Sequence, residues 1–502
     1  MFEAAELGRK VSKDDFDARE PALHAELLAA QRRLREADFP VIVIVSGVEG
    51  AGKGEVVSLI HKWMDVRGLE SFAFWDETDE ERMRPRFWRF WRALPPRGRI
   101  AVLFGSWYTQ PIIGRTLRTM KLDKFDRELE RIRHFEDMLV DDGALIIKLW
   151  FHLSKKAQRK RLEADAKGKG GRLSPLTKSF SRRYDEFALV SERALRKTDV
   201  GHSPWHIVEA DNDRYRNLKV GEILLERLTT RLERPPPSSG RVTTSSPALQ
   251  KIGEPGVLSG VPLDARHDGK TYRKLLRRYS DELYQLAWKA HARGLNTVAV
   301  FEGWDAAGKG GAIRRVTGAM DARLYRVISV AAPTDEEKAH HYLWRFWRHL
   351  PRAGYHTIYD RSWYGRVLVE RVENFATEIE WQRAYNEINS FEEQLVEHGV
   401  VVLKFWLHIS AEEQLERFRE RERVAVKQHK ITDEDWRNRE RWDDYERAVS
   451  DMVMKTSTEI APWTLVPAND KRYARIEVLR TFCARLGAAL EQREQAVTRN
   501  GR

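Results

Sequence analysis

The 502-residue chain carries a single cysteine, Cys483, and one thiol cannot close an intrachain disulfide. A disulfide-stapled scaffold is therefore excluded, and the cytoplasm is the expected compartment. Cys483 stands among Leu479, Phe482 and Leu486 at helical spacing, the setting of a packed core thiol rather than a nucleophile. Long apolar runs are also missing: nothing approaches the roughly 18–20 residues that span a bilayer, so no membrane partner is expected. The first twenty residues contain Glu3, Glu6, Asp14, Asp15 and Asp17 and no apolar export segment. His340–His341 has no second pair at metal-ligand spacing. The signatures of the common nucleic-acid-binding modules are absent, and no nucleic-acid partner is expected.

Charge is plentiful. Lys plus Arg number 88 against 76 Asp plus Glu, a formal net charge of +12 that suits a polyanionic partner without identifying one. The strongest feature, however, is that the chain repeats itself. Gly47–Gly54 (GVEGAGKG) returns as Gly303–Gly310 (GWDAAGKG), an offset of 256, and WRFWR at Trp88 and Ser106-Trp107-Tyr108 return at Trp344 and Ser362. Later blocks follow an offset of 258, as with Pro204-Trp205 and Pro462-Trp463. So long a period means a duplicated domain rather than a solenoid. The divisions expected are residues 1–234, a Pro/Ser/Gly-rich linker at 235–269, and residues 270–502.

Each copy opens on an amphipathic helix, followed by a buried strand (Val41–Val45, Thr297–Phe301) and then the glycine loop. Further apolar runs at Ile100–Phe104, Leu145–Phe151, Tyr355–Tyr359 and Val400–Leu407 alternate with helical stretches. This is the pattern of an α/β domain with a parallel sheet covered on both faces, present twice.

Gly303-x4-Gly308-Lys309 lies between a strand and a helix, the context in which a P-loop turns its backbone N–H groups onto a phosphate. Gly303, Gly308, Gly310 and Lys309 are the expected phosphate ligands. Gly310 stands where a P-loop enzyme usually places a magnesium-binding hydroxyl, so other oxygens must hold the metal. Asp305 in the loop and Asp360 at the end of the next strand are the candidates for Mg²⁺, a hard ion that takes one or two carboxylates together with phosphate oxygens.

GWDAAGKGG (303–311), WRFWRHLP (344–351), DRSWYGR (360–366) and APWTLVPANDKRYAR (461–475) resemble the family 2 polyphosphate kinases, and the tandem organisation resembles the two-domain, AMP-accepting members of that family. The resemblance implies a P-loop kinase fold with a helical lid, and Mg²⁺-dependent transfer of a phosphoryl group from inorganic polyphosphate to a nucleotide, chiefly AMP to give ADP. It assigns catalysis to Asp305, Lys309, Asp360, Arg361, Arg366 and the lid residue Arg421, and phosphate binding also to Arg417, Lys427 and Lys430. The lid departs from the family pattern at Val424-Ala425 and His429, which leaves the acceptor less defined than the reaction. Two other readings compete. An ATP-dependent nucleoside monophosphate kinase shares loop, lid and metal, but Gly310 together with DRSWYGR argues against it. A non-catalytic polyanion- or nucleic-acid-binding P-loop protein would explain the charge, but not the joint presence of Asp305, Lys309, Asp360 and Arg361.

The copies are unequal. Asp305, Asp360, Arg361 and Arg366 correspond to Glu49, Phe104, Gly105 and Gln110, whereas Lys309 keeps its counterpart Lys53. Catalysis is therefore expected in the second copy, with a structural or polyphosphate-holding role for the first. An intrachain pseudo-dimer of the two copies is expected, with further homo-oligomers left open.

Overall fold

The computed structural model describes residues 1–168, 182–234, 256–425, 428 and 431–500, with the backbone alone at 165–168, 496, 497, 499 and 500. Lys427, Lys430 and most of the expected linker lie outside the described residues. One compact unit comprises the elements of the first copy together with Asp335–His341; the other comprises those of the second copy together with Thr78–Trp88.

In the first unit, strands β1 (Val41–Gly47), β2 (Leu69–Ala73), β3 (Ile100–Phe104), β4 (Leu145–His152) and β5 (Trp205–Glu209) form a sheet ordered β2-β3-β1-β4-β5. Every pairing is parallel, with Val41 beside both Ile100 and Leu145. Helices α1 (Lys13–Leu34), α2 (Lys53–Trp63), α3 (Leu122–Asp141) and α4 (Asp213–Glu233) are the principal ones used below. The second unit repeats the order with β6 (Asn296–Gly303), β7 (Tyr325–Ser329), β8 (His356–Asp360), β9 (Val400–His408) and β10 (Trp463–Pro467), arranged β7-β8-β6-β9-β10 and again parallel. Its helices include α5 (Gly269–Ala292), α6 (Lys309–Gly318), α7 (Glu378–Glu397), α8 (Ala411–Arg423), α9 (Asp433–Glu440), α10 (Trp442–Thr456) and α11 (Lys471–Asn500).

The central strands run between neighbours on both edges and helices on both faces, which is why Val41–Val45 and Val298–Phe301 are apolar throughout and buried. The six apolar runs of the sequence are all strands. The edge strands β2, β7, β5 and β10 were not anticipated. Among the described residues no helix is long and apolar enough to cross a membrane.

Behind the sheet each copy buries one ion pair. Lys404 Nζ donates to Glu392 Oε2 (2.7 Å), to the Thr456 carbonyl (2.6 Å) and to Tyr364 Oη (2.9 Å). Trp363 Nε1 and Tyr364 Oη donate to Glu392 Oε1 at 3.2 and 2.6 Å. Burial pushes the Glu392 carboxyl up and the Lys404 ammonium down, so each charge depends on its partner. Lys148, Glu136, Trp107 and Tyr108 build the same cluster in the first copy, with Lys148 Nζ 2.8 Å from Glu136 Oε2. The Ser-Trp-Tyr motif is thus scaffold, which explains its presence in both copies.

Candidate active site

The register that sets Phe301 beside Asp360 brings the end of β8 level with the start of the glycine loop, outside the carboxyl ends of two adjacent strands. Gly303 (φ 147°) turns the chain off β6; a β-carbon there would come within 2.6 Å of the Leu407 carbonyl oxygen, so glycine is required. Gly308 (φ 109°) begins α6, and nothing lies within 4 Å of where its β-carbon would be, so the loop surface above it is open. Gly310 is equally open. Lys309 Nζ folds across its own loop, donating to the carbonyls of Gly303 (2.6 Å) and Trp304 (3.3 Å).

Asp305 Oδ2 accepts from Asn438 Nδ2 of α9 at 2.9 Å, and Oδ1 lies 3.6 Å from Arg361 Nη2. Arg361 holds a left-handed φ of 65°, uncommon for a residue with a β-carbon, immediately after Asp360. Among the described residues no donor holds the Asp360 carboxylate. Sequence reasoning missed a third carboxylate, Glu302. It is buried at the last step of β6, accepts from Ser362 Oγ at 2.8 Å, and has its carboxyl raised by burial against the opposing pull of Lys309. Its counterpart is Ser46, a difference visible in the aligned copies. Sequence reasoning also missed the lid contact: Trp442 on α10 stacks on Trp304 of the loop with ring centroids 3.7 Å apart and an interplanar angle of 7°.

Two expected residues are engaged by other groups of the protein. Arg417 lines the larger cavity at the loop, and its guanidinium donates to Glu413 (2.6 Å), to the carbonyls of Ala306 and Ala307 (2.9 and 3.0 Å) and to those of Ala468 and Asn469 (2.7 and 2.8 Å). All five N–H donors are engaged within the protein, and Arg417 braces the loop, joined by Gln414 Nε2 donating to the Asp305 carbonyl at 3.2 Å. Arg366 pairs with Glu370 at 3.2 Å and lies over the Tyr342 ring, outside both cavities that adjoin the loop.

Those cavities meet at the loop. The larger, about 710 Å³, is lined by Gly308, Gly310, Asp360, Arg314, Arg421, Lys471 and Arg475 among others. The smaller, about 80 Å³, is lined by Glu302, Trp406, Asn438 and Tyr445 among others. Trp304, Asp305, Lys309, Arg361 and Glu434 belong to both, so an anion in the first and an acceptor in the second would face each other across these five side chains.

The first copy supplies an internal comparison. Its equivalent hollow, about 140 Å³, is walled by Phe74, Trp75 and Phe104. Lys53 Nζ donates to the carbonyls of Gly47 and Val48 (3.0 and 2.9 Å) and to Glu49 (3.3 Å). Where Ala474 leaves space in the second copy, Arg216 of α4 fills it. A β-carbon on Gly52 would lie 1.6 Å from Arg216 Nη1, and Arg216 brings Glu55 (3.0 Å) and Asp213 (3.2 Å) with it. The mouth of that loop is occupied by the protein itself, Arg216 and its paired carboxylates standing where a phosphate would sit.

A strand–glycine loop–helix unit with an ammonium, two flanking carboxylates and a ring of cations, set on a β7-β8-β6-β9-β10 sheet, defines a P-loop phosphotransferase. The chain belongs to the polyphosphate kinase 2 (PPK2) family, whose model matches residues 10–235 and again 266–494. It is 49% identical to the polyphosphate:AMP phosphotransferase of Pseudomonas aeruginosa over 98% of this chain and 100% of that one. It is 38% identical to the polyphosphate:AMP phosphotransferase of Acinetobacter johnsonii over 89% of this chain and 91% of that one. The crystal structure of a putative polyphosphate kinase 2 from Pseudomonas aeruginosa matches with a TM-score of 0.89 at 48% identity, covering 98% of this chain and 99% of that one.

Proposed function

We propose that the second copy transfers the terminal phosphoryl group of inorganic polyphosphate to AMP, giving ADP and a polyphosphate shorter by one unit. The observation that carries this reading is the meeting of the two cavities at Asp305, Lys309 and Arg361, where a phosphoryl group can pass from a chain in the cation-lined cavity to an acceptor in the smaller one. The P–O bond to the chain breaks as the bond to an oxygen of the AMP phosphate forms. That phosphate is largely a dianion at neutral pH, so its attacking oxygen carries no proton, and a site without a histidine base suffices. Lys309 and Arg361 neutralise charge on the moving group, and Arg421, which lines the donor cavity, is placed to steady the chain.

Asp305 and Asp360 offer hard oxygen donors beside the loop, a set that fits Mg²⁺ shared with phosphate oxygens; among the described residues no three metal-binding side chains converge. Bound there, Mg²⁺ would screen the phosphate charges. The acceptor pocket carries Trp406 Nε1, buried with no partner among the described residues, and the polar groups of Asn438 and Tyr445. Trp304, which the Trp442 ring covers, forms part of its wall.

The test is ADP formation from AMP and polyphosphate by the full-length protein and by Asp360→Asn, which removes a charge without changing volume. The variant is expected to lose about 100-fold or more in turnover with its fold intact. Wild-type turnover in it would end the assignment.

A further inference from the structure

The N-terminal end of α5 lies beside that of α11, and the two helices run in the same direction. A β-carbon on Gly269 would sit 3.7 Å from Arg472 Nη1, Cys483 Sγ reaches the Tyr279 carbonyl at 3.6 Å, and Arg293 meets Glu494 at 3.0 Å. Lys471 and Arg475, one turn apart on α11, line the donor cavity, with Arg475 Nη2 3.4 Å from where a β-carbon on Gly311 would be. Arg472, between them in sequence, leaves the cavity and faces the first turn of α5, where Arg273 Nη1 is 4.0 Å from the same Gly269 position. Arg273, Lys274 and Arg277 then continue along α5. All three are exposed, as are Lys270 and Arg472, and no carboxylate pairs with any of the five among the described residues. The acids that precede the two helices are engaged with backbone: Asp268 accepts from the N–H groups of Lys270 and Thr271, and Asp470 from that of Tyr473.

The first copy shows that the helix does not need this charge. The two helices align by their caps, Ser12 with Asp268, and by buried Leu27 with Leu283. On that alignment Lys270, Arg273, Lys274 and Arg277 stand where the first copy has Asp14, Asp17, Ala18 and Pro21. Lys471 and Arg475 likewise stand where it has Asp213 and Asn217. Lys270, Arg273, Lys274, Arg277, Lys471 and Arg475 occur in the copy that keeps Asp360 and Arg361 and are reversed or lost in the copy without them, whereas Arg472 keeps a counterpart in Arg214.

We propose that this face is an exposed continuation of the donor site, a track on which the distal part of a long polyphosphate lies after leaving the cavity past Arg472. The inference rests on the reading of the cavity as the donor site. A chain too short to leave the cavity gains nothing from the track, whereas a long one gains a largely electrostatic, salt-sensitive contribution from each cation.

The test compares full-length wild type, the triple variant Arg273→Gln/Lys274→Gln/Arg277→Gln, and the control Lys289→Gln/Arg293→Gln at the far end of the same helix. Direct binding of long-chain polyphosphate and of a short oligophosphate is measured, alongside ADP formation. The triple variant is expected to bind long chains roughly ten-fold more weakly, about a factor of two per cation, with a shallower salt dependence and unchanged short-chain binding and turnover. The control is expected to match wild type. Equal weakening for both chain lengths, no weakening, or the same loss in the control would overturn the track. A wild-type protein that forms no ADP would instead refute the functional reading, while the binding comparison still decides the track.

Discussion

Glu302 shows what a single residue costs and contributes at this site. It is buried, its carboxyl is raised by burial, and it sits behind Lys309 and Arg361 while holding Ser362. A group whose pKa is raised on folding favours its protonated form in the native state. Its stability contribution is therefore present below the ordinary carboxylate range and is lost as pH climbs through the raised value. Above the ordinary carboxylate range folding must either bury the charge or take up a proton, and either opposes it. Glu302→Gln, which can still accept from Ser362, is expected to raise the thermal midpoint by a few degrees at pH 8, with a smaller gain near pH 5, and to lower turnover. Melting curves at the two pH values check the sign; a gain that grows toward acid would contradict it. That Asp305, Lys309 and Asp360 gather at the glycine loop was legible in the sequence, because the loop's spacing and the strand before Asp360 fix their places locally. Glu302 was not, because one carboxylate at the end of an apolar strand announces nothing until the copies are compared.

At the scale of elements, the loop is held by a brace that occurs twice. Arg417 on α8 spans from Ala306 and Ala307 to Ala468 and Asn469, while Arg161 donates to the carbonyls of Gly50 (3.3 Å) and Ala210 (3.1 Å) in the first copy. The family resemblance placed Arg417 among the phosphate ligands, and its bracing bonds were not legible because an arginine on a helix carries no mark of which groups it meets. The carbonyls it satisfies come from two segments distant in sequence. Arg417→Ala leaves several buried carbonyls without a donor and is expected to cost about 2–4 kcal/mol of stability and much of the activity. Arg161→Ala is expected to cost stability with activity largely kept. Denaturant unfolding and initial rates, measured on both variants, separate brace from catalyst: loss of activity without loss of stability at Arg417 would make it a direct phosphate ligand after all. Strands with long apolar runs were legible for the opposite reason, since a central parallel strand must be apolar on both faces. The edge strands escaped notice because they are short and their apolar runs are broken by polar residues, as in Leu69–Ala73 (LESFA) and Tyr325–Ser329 (YRVIS). The Trp304–Trp442 stack gave no local signal, its members lying on different elements.

Across the whole molecule, duplication separates scaffold from chemistry without any other protein. What both copies keep, the buried Lys-Glu-Trp-Tyr cluster, the braced loop and the strand order, is what the fold requires. What the second copy alone carries is Asp360, Arg361, Glu302 and the α11 cations Lys471 and Arg475, the groups to which the proposed function gives phosphoryl transfer. The first copy retains Lys53, but its ammonium is engaged by Gly47, Val48 and Glu49 and its loop mouth is filled by Arg216. The most direct test of this division is the rate of ADP formation from AMP and polyphosphate by two full-length variants, Lys309→Ala and Lys53→Ala. Lys309→Ala is expected to fall by about 100-fold or more, because the ammonium that neutralises the moving phosphoryl group is gone, and Lys53→Ala to stay within about three-fold of wild type. Equal losses from the two substitutions, or a larger loss from Lys53→Ala, would contradict the assignment of catalysis to the second copy.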